Sequence, residues 1–201
     1  EGLDFENIGH IVSFETLGIL LGMMVIVEIL KESGFFTFTA VGTIKLSRYK
    51  FWVLIFMLML IVVLFSAFLD NLVTIMLMAP IIFLVADTVK VDPAPLILLT
   101  VYVDNIGGMA TLIGSPLNIV LGSLSKGQLD FTGFLLYMLP IAIIAMISTI
   151  LLFKKKHDYD VQALNQRLES LRGMDISKTI ENKSVLIKSL TVFVLVILGF
   201  I

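Results

Sequence analysis

Residues 104–118 read Asp-Asn-Ile-Gly-Gly-Met-Ala-Thr-Leu-Ile-Gly-Ser-Pro-Leu-Asn and hold the side chains best suited to chemistry in this chain. Asp104 offers a carboxylate, Asn105 and Asn118 offer amides, and Thr111 and Ser115 offer hydroxyls. The set contains no nucleophile–base pair, so its chemistry is binding rather than bond making. Side-chain and main-chain oxygens suit a cation such as Na⁺, with Asn71 and Asn118 the amide pair for it, while bare helix N-termini suit an anion. A second polar group, Asp70 and Asn71 with Thr74, stands between the apolar runs 51–69 and 72–89.

The elements around these residues must hold them at depth. The run 95–103 covers roughly 13 Å as a helix, under half of a ~30 Å hydrocarbon core. The whole of 95–124 as one rod would reach about 45 Å, too long without a steep tilt. Two half-helices joined by an unwound segment fit better. Gly107, Gly108 and Gly114 permit non-helical backbone there, and Pro116 removes a donor and obstructs a continuous helix. Glycines in membrane helices also serve plain close packing, and a proline is often only a kink. The polar cluster tips the reading toward a site, because intramembrane polar residues are costly.

Composition sets the surroundings. The chain has 201 residues, 58% of them hydrophobic and only 15% charged, against about 25% charged in a soluble domain. That describes an all-α polytopic membrane protein with the lipid bilayer as its partner, multi-pass in the cell membrane. The chain opens at Glu1 and stops at Ile201 inside an apolar run, which reads as a piece of a longer chain. Without cysteine it has no disulfide, thiolate metal site or cysteine nucleophile. His10 and His157 lie outside the apolar runs, as interfacial residues do. A net charge of −2 carries no nucleic-acid signature. With no His/Glu metal spacing either, an enzyme is not expected.

Taken in order, 1–13 is an interfacial lead-in and 14–30 a first span. Glu15 lies in that span's first turn, where the helix dipole favours it, and Lys31 neutralises Glu28 near the far interface. Residues 34–50 suggest a short amphipathic helix lying in the interface, with a poorly marked span as the alternative. The arms 51–69 and 72–89 form a hairpin whose tip is Asp70-Asn71. That tip is either a surface turn between two full spans or a re-entrant tip presenting Asn71 and Thr74 at mid-membrane. Pro80 reads as a kink. A span at 134–153 ends in Lys154, Lys155 and Lys156. A linker at 154–183 carries a surface helix marked by Val161, Leu164, Leu168 and Leu171, with Gly173 to end it, and 184–201 opens another span. Lys31, Lys45, Arg48, Lys50, Lys90 and the later basic run fall on one side, opposite Lys126, which makes that side cytoplasmic.

At Ser66-Ala-Phe-Leu-Asp-Asn-Leu-Val-Thr74 and across 105–118 the chain resembles the arsenite-permease and sodium/proton-antiporter family (ArsB/NhaD type, P-protein-like) of the ion transporter superfamily. Phe14-Glu-Thr-Leu17 and Glu32-Ser-Gly-Phe-Phe36 look like that family's first span. The resemblance implies a fold of two inverted repeats, each with a re-entrant helical hairpin and an interrupted transmembrane helix. This chain would supply the N-terminal repeat, 1–153, with hairpin 51–89 and broken helix 95–124. Substrate and coupling ion would bind between the tip (Asp70, Asn71, Thr74) and the break (Asn105, Gly107, Gly108, Thr111, Gly114, Pro116, Asn118), with Asp104 beside it. Leu117 and Ser115 depart from the pattern, Ser115 standing where P-protein-like members often carry aspartate.

The expected function is a secondary active transporter, H⁺- or Na⁺-coupled and without other cofactor. It would move a small anion or oxyanion such as arsenite across the plasma membrane by alternating access, in a homodimer. A Na⁺/H⁺ antiporter is the close rival, and a passive anion channel the alternative from another class. Asp70 is the favoured coupling carboxylate, since an ionised carboxylate at the bilayer centre costs about 2.5–3.5 kcal/mol on insertion scales.

Overall fold

A computed structural model describes residues 14–125 and 129–170, with 187, 188, 190–192, 194 and 195 beyond them. Regular structure among the described residues is helical throughout. The helices are α1 (Phe14–Glu32), α2 (Phe35–Leu46), α3 (Phe51–Ser66), α4 (Asn71–Val89), α5 (Pro93–Gly108), α6 (Pro116–Leu124), α7 (Phe131–Lys156) and α8 (Val161–Glu169). Of these, α4 and α7 are long and apolar enough to cross a membrane.

Local chemistry sets several boundaries. The Asp92 carboxylate accepts from the Ala94 amide and Pro93 opens α5 with its φ already helical. Ser115 and Pro116 repeat the device at α6, where the Ser115 hydroxyl accepts from the Asn118 amide. Asp130 caps α7 through the Gly133 amide, and three lysines in its last turn suit the negative end of the helix dipole.

Arms α3 and α4 form the hairpin, and α5 packs along both, more extensively than the arms pack on each other. Leu58 and Val62 of α3, Ile82 and Val85 of α4, and Leu99 and Val103 of α5 share one core with Met146 and Ile150 of α7. Since α4 and α5 are joined only by residues 90–92, the C-terminus of α5 returns to the level of the hairpin tip. There Ala67, Ala110 and Ala142 make one cluster, and Ala142 lies near the middle of the 26-residue α7. Roughly 16 Å of α7 therefore extends beyond the tip, and α6 starts at the tip's own level.

Several expected boundaries move. The first half of the broken helix begins at Pro93 and keeps 16 residues, roughly 24 Å, so Asp104, Asn105, Gly107 and Gly108 are helical and the break is 109–115. The first arm ends at Ser66 rather than 69, and the later span starts at Phe131 rather than 134. Helix α2 does not lie free in an interface. It packs on both hairpin arms, with Phe36, Thr43, Ile44 and Ser47 buried, because its Phe and Ile faces meet the apolar arms. Leu164 and Leu168 of α8 are buried in the main core, so the linker helix is docked rather than a surface element. Residues 1–13 with His10, the Glu15 side chain, Lys126, Leu171, Gly173 and most of 184–201 lie outside the described residues.

Candidate functional site

Three helix ends meet at the hairpin tip. The Ser66 hydroxyl, at the end of α3, donates to the Asp104 main-chain oxygen of α5 at 2.6 Å and lies 3.2 Å from Asn71 Oδ1 of α4. Asn105 Nδ2 donates to the Val101 carbonyl at 2.8 Å, which turns Asn105 Oδ1 outward to accept from Asn71 Nδ2 at 3.2 Å. That bond fixes the Asn71 amide in turn, with its oxygen toward Ser66. Ser66 is the residue sequence reasoning left out of the candidate set. Its signal was available: a hydroxyl closing a wholly apolar arm five positions before Asn71.

The break is held by a second set. Thr111 Oγ1 donates to the Ala67 carbonyl of the tip. Asn118 Nδ2 uses both hydrogens, on the Gly108 oxygen at 3.0 Å and the Thr111 oxygen at 2.9 Å, and so ties α6 to the end of α5. The main-chain amides of Leu112, Ile113 and Gly114 donate to no described residue.

The glycines act by proximity. None of Gly107, Gly108 and Gly114 has a positive φ, so the expected conformational licence is not their reason. A Cβ on Gly107 would stand 2.8 Å from the Val63 Cα, and one on Gly114 2.7 Å from the Gly108 oxygen. A Cβ on Gly108 would stand 2.6 Å from Asn71 Oδ1. Close backbone approach of α5 to α3 builds the site.

An open cavity of ≈ 610 Å³ lies against this junction, lined by Asp70, Asn71, Leu72, Ile75, Met76, Val101, Asp104 and Asn105. Its polar wall is two carboxylates and two amides. Asp70 occupies the N-cap position of α4 yet its side chain makes no capping bond. Asp104 is 1% exposed, and its Oδ1 has no hydrogen-bond partner; neither does the buried Thr74 Oγ1. Thr74, Thr111, Gly114, Ser115, Pro116 and Asn118 do not line the cavity. Asn71 and Asn118 both reach Gly108, but only Asn71 faces the open space, so the expected Na⁺ pair does not share one cavity. Among the described residues no three His, Cys, Asp or Glu are grouped so as to hold a metal ion.

The hairpin tip is thus a polar junction of helix ends inside an apolar helical bundle, open on one side. Residues 2–201 match the citrate transporter family (CitMHS), and the chain belongs to that family, one of transporters rather than enzymes. It is 40% identical to the P protein of Mus musculus over 152 residues, 72% of this chain and 18% of that protein. It is 34% identical over 190 residues to an uncharacterized transporter of Mycobacterium tuberculosis, covering 94% of this chain and 44% of the relative. The 46 kDa membrane protein of Mycobacterium leprae is 32% identical over the same share of each. The chain thus spans less than half of these curated relatives.

Proposed function

We propose that the protein is a cation-coupled secondary transporter working by alternating access in the cell membrane, and that residues 1–153 of this chain are the first of its two inverted repeats. The hairpin is read as re-entrant, its tip at mid-membrane, because the tip packs against the middle of α7. The observation that carries the coupling is the polar wall of Asp70, Asn71, Asp104 and Asn105, which contains two carboxylates and no basic side chain. Two acidic groups on one apolar-walled cavity attract a cation or proton, and a carboxylate oxygen without a donor requires one. That wall favours the Na⁺/H⁺ branch over arsenite-type efflux for this half of the site. Asp70 and Asp104 carry the coupling ion, and Asn71, Asn105 and Ser66 hold the geometry.

A second reading adds a small anion, such as a carboxylate or oxyanion, as co-substrate. The amides of Leu112, Ile113 and Gly114, which donate to no described residue, favour it, since main-chain amides without acceptors are the anion-binding element of broken helices. Both readings are tested with the full-length protein in sealed proteoliposomes. An imposed Na⁺ gradient is expected to move protons, followed with a pH-sensitive dye, or to drive labelled citrate or arsenite uphill. Solute flux that only dissipates its own gradient would make the protein a channel.

A further inference from the structure

The junction of α1 and α2 lies at the depth of the hairpin tip. Leu30 and Phe36, on either side of it, are buried in one cluster with Leu69, and the Phe36 and Phe65 rings sit 4.8 Å apart. From there α2 follows the hairpin arms to their base, where Ile44 joins the core that contains Phe51. Helix α1 leaves in the other direction and packs on α6. The chain is therefore interrupted at the level of the tip, between α1 on the α6 side and α2 along the arms. Gly34 forms the interruption with a left-handed φ of 77°, and the buried Ser33 hydroxyl bonds the Leu30 carbonyl at 2.6 Å.

The last turn of α1 carries charge at this depth. Glu28 and Lys31 pair at 3.1 Å with side chains 57% and 42% exposed, and Glu32 is exposed beside them. The sequence alone placed Glu28 and Lys31 near a membrane surface and counted Lys31 with the basic residues of the hairpin base. Lipid does not tolerate such groups at mid-depth, so they face water or protein. We infer that Glu32 and the Glu28–Lys31 pair line a water-filled vestibule reaching the hairpin tip from the α1 side. The inference rests on the re-entrant reading above. It makes α1–α2 a third interrupted element at the level of the site and gives ions a polar route besides the cavity that the hairpin and α5 line.

The test uses the full-length protein in membrane vesicles of both orientations, with any cysteines outside this stretch replaced; the 201 residues themselves contain none. Single cysteines are placed at Glu32→Cys, at Lys155→Cys on the hairpin-base surface, at Leu21→Cys on the exposed side of α1, and at Leu72→Cys beside the tip. A membrane-impermeant maleimide is added, and full labelling after denaturation confirms that each variant is present. Glu32→Cys is expected to label several-fold more slowly than Lys155→Cys, while Leu21→Cys stays unlabelled. Labelling of Glu32→Cys as fast as Lys155→Cys would put the junction at the surface and overturn the vestibule. No labelling from either side would pack it against lipid or protein and overturn it equally. Fast labelling of Leu72→Cys would instead remove the re-entrant tip. If Glu32→Cys fails to insert, Lys31→Cys answers the same question.

Discussion

The two ends of the hairpin solve the same problem in opposite ways. At the base, the free amide of Phe51 is taken by Asn165 Oδ1 at 2.8 Å, and the free carbonyl of Val89 by Arg167 at 2.6 Å. Leu164 and Leu168 dock the helix that supplies both groups, and Phe51, Trp52, Phe153, His157 and Tyr159 stack around it. At the tip, Asp70 leaves α4 without a side-chain cap, the amides of Leu112, Ile113 and Gly114 donate to no described residue, and Thr74 Oγ1 and Asp104 Oδ1 are buried without partners. Buried polar groups are ordinarily satisfied, and their concentration at one end is what the proposed function uses as the place where an ion binds. On the proposed function, the base serves stability and the tip serves exchange.

The sharpest way to break that contrast is to neutralise the tip. Asp70→Asn and Asp104→Asn are each expected to abolish gradient-driven transport while leaving insertion and thermal stability near wild type, since Asp70 caps nothing, Asp104 Oδ1 has no partner, and the asparagine amide keeps the shape of each side chain. Full coupled transport in either variant would remove that residue from the mechanism. If both variants instead fail to fold, the tip is structural and the contrast collapses.

The glycines divide the same way. Gly107→Ala presses a Cβ to 2.8 Å of Val63 backbone atoms, which cannot yield, so overpacking of about 1–3 kcal/mol or more should lower the melting temperature sharply. Gly108→Ala meets the end of the Asn71 side chain at 2.6 Å, which can turn away by giving up its contacts with Ser66 and Asn105. It should cost less stability than Gly107→Ala and weaken ion coupling, measured as the ion concentration for half-maximal transport. Equal stability losses in the two would show that Gly108 is ordinary packing.

These outcomes bear on what the sequence made legible. The helical membrane architecture, the hairpin and the presence of a break within 104–118 follow from apolar run lengths and from residues such as Pro116 whose backbone demands are strict. The split of the polar cluster did not follow. Asn118 and Thr111 look like ligands by type, yet they tie the break together, while Asp104 and Asn105 reach the cavity from inside a helix. Linear spacing does not reveal which side of α5 meets α3. Nor did the 3.6-residue pattern of α2 separate an interfacial helix from one packed on two arms. The burial of Leu164 and Leu168 was foreshadowed by their spacing, but the partner they dock on lies more than 70 residues away.

At the base the largest expected loss is in packing. Leu168→Ala removes a fully buried side chain and should cost about 2–5 kcal/mol, read as a lower melting temperature in detergent. The protein that remains folded should keep its half-saturating ion concentration. A change there would mean that the base tunes the site, against the division drawn here.

The smallest effect discriminates best. Asn165 acts on α3 solely as an acceptor at a helix N-terminus, so Asn165→Ala should cost about 0.5–2 kcal/mol, the usual worth of such a cap. Asn165→Asp keeps an acceptor and places a negative charge where the dipole of α3 favours it, so stability should match or slightly exceed wild type. The same pair of chemistries, carboxylate and amide, is thus interchangeable at the base and not at Asp70, where a charge must be present to be neutralised. Thermal melts of Asn165→Asp and transport by Asp70→Asn therefore form one experiment. If Asn165→Asp disrupts transport as severely as Asp70→Asn, charge matters equally at both ends, and the hairpin works as one electrostatic unit rather than as an anchored base with a reactive tip.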